Sequence, residues 1–187
     1  LGVLAQTSLS TNILKYKLAD GSSYIDVCID ITSASMKIEL IDAVWHSHTE
    51  IVITVENSSE LAAFRKVNLE GPLTTDSLIA HTGSHFHLER IKLNHGNYSI
   101  TTQIDGESIV DEISISLGDR PEISDIMLIE AYSKVNSGEV SHISRSGMNL
   151  VPLVDTRISP MADKARFYVE LYNIDKVVGE DSLFLMS

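Results

Sequence analysis

The sequence predicts an all-β chain: an immunoglobulin-like antiparallel β-sandwich followed by a partial second β-rich domain. Three observations carry that expectation. Apolar and polar side chains alternate with a period of two from Ile13 to about Leu117. Short clusters of Gly, Ser, Asn and Asp interrupt the alternation at spacings typical of all-β domains, and helical periodicity is scarce.

The clearest strand runs from Tyr24 to Ile31. Ile25, Val27, Ile29 and Ile31 share one face, predicted to be core, while Tyr24, Asp26, Cys28 and Asp30 share the other. Met36, Ile38 and Leu40 alternate with Lys37 and Glu39, and Ile51, Ile53 and Val55 alternate with Val52, Thr54 and Glu56. These are two further half-buried strands, with Trp45 in the connection between them. Phe64 to Leu69, Phe86 to Leu93, Tyr98 to Ile104 and Ile109 to Leu117 follow, bringing the strands to the seven or eight of a sandwich. Gly96 stands two residues before Tyr98 at the start of a strand, as in the tyrosine corner of Greek-key sandwiches, where the hydroxyl bonds back to the main chain. Asp105-Gly106 supplies hairpin turn chemistry, making the last two strands antiparallel neighbours.

Gly118-Asp119-Arg120-Pro121 interrupts the pattern and predicts a joint over 119–124 between a sandwich at 10–118 and a second β domain at 125–187. In the second part Asp125 to Ala131, Met148 to Val154 and Arg166 to Tyr172 read as strands, with Pro152 near a sheet edge or a bulge. Ser133 to Gly147 reads as a loop. Leu183 to Met186 reads as a strand cut short, so a truncated second domain is expected to lean on the first domain, on another chain or on further sequence.

The 187 residues carry 14 Lys and Arg against 26 Asp and Glu, a formal charge of −12 that repels nucleic acid and anionic lipid. One cysteine, Cys28, excludes an internal disulfide and any multi-thiolate zinc site. No run approaches the roughly 20 apolar residues that cross a bilayer. Leu1-Gly2-Val3-Leu4-Ala5-Gln6 reads as the end of a signal segment over 1–5, with Val3 at −3 and Ala5 at −1 of a cleavage site.

Tyr16 to Val27, Leu93 to Tyr98 and Ile123 to Leu128 together resemble the N-terminal region of exported GWxTD-domain proteins of diderm bacteria. Ser146 to Pro152 and Phe167 to Asn173 add to the resemblance, although the GWxTD motif itself is absent. The resemblance implies an envelope location, periplasmic or at the cell surface, and tandem β domains. It brings no catalytic residues with it.

Six of the seven histidines, His46, His48, His81, His85, His87 and His95, fall between positions 46 and 95. A His-x-His pair on a strand puts both rings on one face, so His46 with His48, and His85 with His87, are the candidate metal ligands, and two such pairs meeting across a sandwich end would suit zinc, nickel or copper. The plain alternative is loop and surface histidines, since no carboxylate or thiol partner is identifiable from the spacing. Asp26 and Asp30 are expected to be solvated, and Cys28 to be a covered packing residue. Trp45, Tyr132, Tyr168 and Tyr172 are the aromatics best able to line a ligand surface, with core packing the simpler expectation for Trp45.

Gly83-Ser84-His85 lacks the strand-turn-helix setting of a nucleophilic serine, and no phosphate-cradling loop is present. Asp76-Ser77-Leu78 and Asp181-Ser182-Leu183 match a short pattern at which some envelope proteins carry O-glycans, against the plain reading of turns. The expected function is a non-enzymatic envelope binding or scaffolding module with a protein partner, no cofactor, no nucleic acid and no direct membrane insertion. The alternative is a metal-binding or accessory enzyme domain built on the histidines.

Overall fold

The computed structural model describes residues 9–179 apart from 19, 117, 119, 137–139 and 156–162. The predicted signal remnant, the strand end at Leu117, Asp119 of the joint, the strand at 183–186 and the Asp181-Ser182-Leu183 motif lie outside the described residues.

Strands β1 (Leu9–Lys17), β2 (Ser23–Thr32), β3 (Lys37–Ile41), β4 (Val44–Glu56), β5 (Leu61–Glu70), β6 (Ser84–Leu93), β7 (Gly96–Ile104) and β8 (Glu107–Ile115) build the sandwich, with a short helix α1 at Ser77–His81. One sheet has the order β1-β2-β6. The other has β3-β4-β7-β8, with β5 on the remaining edge of β4. All pairings are antiparallel. His48 pairs with both Lys37 and Glu70, and Ile51 with both Val67 and Ile104, so β3 and β7 share one edge of β4 end to end.

Period-two alternation sends Ile25, Val27, Ile29 and Ile31 of β2 inward, all fully buried against Ile51, Ile53, Val55, Ile100 and Ile104 of the facing sheet. Each such side chain stabilises the fold by roughly 1.5–3 kcal/mol. The Tyr98 hydroxyl donates to the Asn94 carbonyl at 3.2 Å, closing the corner where the chain crosses from β6 to β7. Asp105 and Gly106 both have positive φ, 39° and 88°, and set Ile104 opposite Glu107 in a two-residue hairpin.

A second two-residue turn, at Asp42 and Ala43 with φ of 50° and 63°, returns the chain directly from β3 into β4. Trp45 therefore lies within β4 and not in a connection. Neither residue is a glycine, so the turn carries no strong sequence mark.

The remainder forms β9 (Glu122–Ile123), β10 (Met127–Lys134), β11 (Ser144–Arg145), β12 (Met148–Pro152), β13 (Phe167–Tyr168), β14 (Leu171–Tyr172) and a helical turn α2 (Asp175–Val178). One sheet runs β11-β12-β10-β13, and β14 pairs with β9. The pairing of β10 with β12 skips Glu130, a bulge beside Pro152. The expected loop from Ser133 to Gly147 contains β11, which folds back on β12 through Ser146 and Gly147 at φ of 48° and 78°. The expected strand from Arg166 to Tyr172 divides in two because its halves pair with different partners, β13 with β10 and β14 with β9.

This C-terminal unit packs on the outer face of β1-β2-β6. Met127, Leu150 and Val154 close over Leu14, Tyr16, Tyr24, Cys28 and Leu88 in a second core. Strand β2 is consequently buried on both faces.

Candidate functional site

On β4 the buried residues are Ser47, Thr49, Ile51, Ile53 and Val55, so His46 and His48 turn to the outer face of their sheet. His85 and His87 lie opposite Ile31 and Ile29 on β2, at the inward margin of the other sheet. The two His-x-His pairs thus occupy different faces of different sheets and do not converge. His81 sits on α1 with its ring edge-on to Trp45 at 5.2 Å, and His95 is exposed at the turn between β6 and β7. Among the described residues no three of His, Cys, Asp or Glu are grouped to hold a metal ion.

His85 Nε2 lies 2.9 Å from Ser33 Oγ, and that hydroxyl donates to the Thr82 carbonyl at 3.1 Å. The hydroxyl proton being committed to Thr82, His85 is the donor to Ser33. Ser33 is fully buried, which closes this pair to any substrate. His87 stands 3.6 Å from Glu89 and faces the His142 ring at 6.5 Å. Burial lowers the pKa of both His85 and His87. Burial raises that of Asp30, which is half-buried.

Asp26 departs from expectation: it is completely buried, not solvated, because the C-terminal unit covers its face of β2. Two guanidiniums meet its carboxylate. From the neighbouring β6, Arg90 Nε donates to Oδ1 at 2.8 Å and Nη2 to Oδ2 at 3.2 Å. From β11, Arg145 donates to Oδ2 through Nη2 and to the Tyr24 hydroxyl through Nη1 at 2.6 Å.

The Arg145 guanidinium lies 4.1 Å over the Tyr16 ring, with Tyr24 and Tyr168 close by, an aromatic setting that suits its planar, weakly hydrated cation. Glu170 completes the cluster, 3.4 Å from Arg145 and accepting from the Tyr168 and Tyr172 hydroxyls at 2.7 and 2.6 Å. Tyr172 in turn accepts from the Lys17 main chain at 3.0 Å. Burial opposes the charge on Arg145, but Asp26, followed by Tyr24 and Tyr16, outweighs it and the net shift is upward. Burial raises Tyr16 and Tyr172 well above the ordinary tyrosine range and raises Tyr24 as well.

Tyr168 and Tyr172, read from the sequence as ligand-facing aromatics, are thus taken up in this cluster. Tyr132 is exposed beneath Arg166 at 5.4 Å. Arg90, Arg145 and Glu170 escaped the sequence reading. The available signal was Asp26 itself, a carboxylate between Tyr24 and Cys28 on a strand whose other face is the apolar stripe of Ile25, Val27, Ile29 and Ile31, since fully buried aspartates are almost always paired.

Fold and cluster together define an all-β, sandwich-like protein whose C-terminal β unit is joined to the sandwich by a buried ionic and aromatic bridge. No family model, curated protein or solved structure matches the chain.

Proposed function

We propose that this protein is a non-catalytic binding or scaffolding module of the bacterial cell envelope, exported to the periplasm or cell surface, which holds two β domains in fixed relation and contacts a protein partner. The carrying observation is the Asp26–Arg145 bridge, in which a dense set of charged and aromatic side chains is tied across the two β units. A catalytic constellation needs an open position for a reacting atom; this one is filled by its own side chains. The resemblance to exported GWxTD-domain proteins supports the location and the tandem arrangement. Among the described residues no helix is long and apolar enough to cross a membrane.

The test is capture from bacterial envelope extracts with the full-length protein immobilised. A protein retained at stoichiometric yield, and released by competing free chain, is the expected result. Failure to retain any protein, together with turnover of an envelope substrate, sinks the proposal.

A further inference from the structure

Most edges of the sandwich are tied across to the facing sheet. Edge strand β8 meets β1 through Thr11 Oγ1, which donates to Asp111 at 3.0 Å, and edge strand β5 meets β6 through Arg65 and Glu89 at 3.0 Å. Such ties blunt edges that would otherwise offer unpaired main-chain groups to another chain. Strand β3 is different. It pairs only with β4, and among the described residues no hydrogen bond or ion pair ties its side chains to another element.

The free edge lies in an apolar end of the molecule. Leu40 is 56% exposed and Ile41 47%, while Leu73, Leu78 and Ile79 beside and on α1 are 67%, 70% and 54% exposed. Register places these residues together: Leu40 lies opposite Trp45, Trp45 bridges to Thr74, and the Trp45 ring meets His81 of α1. Leu40 and Trp45 continue the inward face past the end of the core. Glu39, opposite His46, looks the other way.

The surrounding charge is acidic. Glu39, Asp42, Glu70 and Asp76 surround this end against Lys37, and among the described residues Glu39, Asp42 and Glu70 stand in no ion pair. With a formal charge of −12 on the whole chain, a second copy is repelled and a cationic segment is attracted.

We propose that β3 is a docking edge for an extended segment of a partner protein in which apolar and basic residues alternate, the apolar ones falling beside Ile38 and Leu40 and the basic ones beside Glu39. The main-chain groups of β3 supply the pairing, and the cross-strand neighbours supply the selection. This inference rests on the binding-module reading and names the surface and the partner chemistry.

Trp45 is the only tryptophan, so its emission reports on this end directly. The intact chain is titrated with a synthetic octapeptide of alternating Val and Lys, in parallel with an alternating Val and Glu octapeptide and with a dilution series of the chain alone. A saturable change in Trp45 emission with the Val-Lys peptide, absent with Val-Glu and weakened by added salt, is expected. Leu40→Asp and Glu39→Lys are each expected to weaken it by about two- to fivefold, the scale of one lost apolar or charged cross-strand pair. Both positions are exposed, and an unchanged melting temperature confirms the fold of each variant. Equal response to both peptides, undiminished binding by both variants, or an emission change on dilution, which marks a second copy as the occupant, overturns the proposal. An envelope partner retained equally by wild type and Leu40→Asp overturns it while leaving the binding-module reading intact.

Discussion

At Asp26 a single carboxylate serves two guanidiniums, and that asymmetry orders the effects of mutation. Asp26→Ala leaves Arg145, whose side chain is 5% exposed, a buried cation with only Glu170 at 3.4 Å as counter-charge. A loss of about 3–5 kcal/mol is expected, as for other broken buried pairs. Arg145→Met keeps Asp26 paired with Arg90 and replaces the stacked stem with one of similar length, so about 1–3 kcal/mol is expected. Urea denaturation of the two variants distinguishes them, and the reverse order would contradict the assignment of Asp26 as the hub. His85 and His87 give a pH dependence of definite sign. Their pKa values are lowered in the fold, so between the folded values and about 6.5 the unfolded chain binds more protons. Their contribution to stability is complete above about pH 6.5 and is lost as the pH falls through the folded values. The melting temperature is expected to drop from pH 7.5 to pH 5.5, and to drop less in a variant carrying His85→Asn and His87→Gln. Asp30, raised by burial, acts in the opposite sense and favours the fold at acid pH, so its titration cannot account for such a drop.

Elements were legible in the sequence where a strand is long enough to show a period of two or a turn has a glycine, and illegible where tertiary cover or an unmarked turn decided the outcome. The inward stripe of β2 follows directly from Ile25, Val27, Ile29 and Ile31, and the β7–β8 hairpin from Asp105-Gly106. The β3–β4 hairpin hides because Asp42-Ala43 is poor turn chemistry, and β11 hides because two residues cannot show a period. The candidate site was half visible for the same reason: Asp26 is in a strand that announces itself, whereas Arg145 comes from β11, 119 positions along the chain. The histidine spacing was real, but spacing within a strand says nothing about which sheet or face a second strand presents. Two turn predictions follow. Ala43 at φ of 63° sits in the left-handed region, so Ala43→Gly is expected to stabilise the protein by about 0.5–1 kcal/mol in thermal unfolding, the relief of strain exceeding the added freedom of the unfolded chain. Tyr98→Phe removes the bond to Asn94 and is expected to cost about 1 kcal/mol by the same measurement.

For the molecule as a whole, the sandwich and the C-terminal unit share a core as well as an ionic bridge, so they are expected to unfold in one transition. Cys28 tests this, being the only thiol and lying under Met127 and Leu150 on the covered face of β2. Burial, and then the Asp26 carboxylate, push its pKa up to about 12, so thiolate at neutral pH is scarce and access is closed as well. Labelling by a maleimide at pH 7.5 therefore requires the C-terminal unit to lift from β2. If the two units are one cooperative body, the urea dependence of the labelling rate matches that of global unfolding followed by Trp45 emission. Labelling with a shallow urea dependence, well below the global midpoint, would instead show the C-terminal unit opening by itself. In Asp26→Ala the bridge is cut while most of the apolar contact persists. Labelling is then expected to accelerate at low urea and to separate from global unfolding, which would identify the bridge, more than the shared apolar surface, as what holds the two units in register.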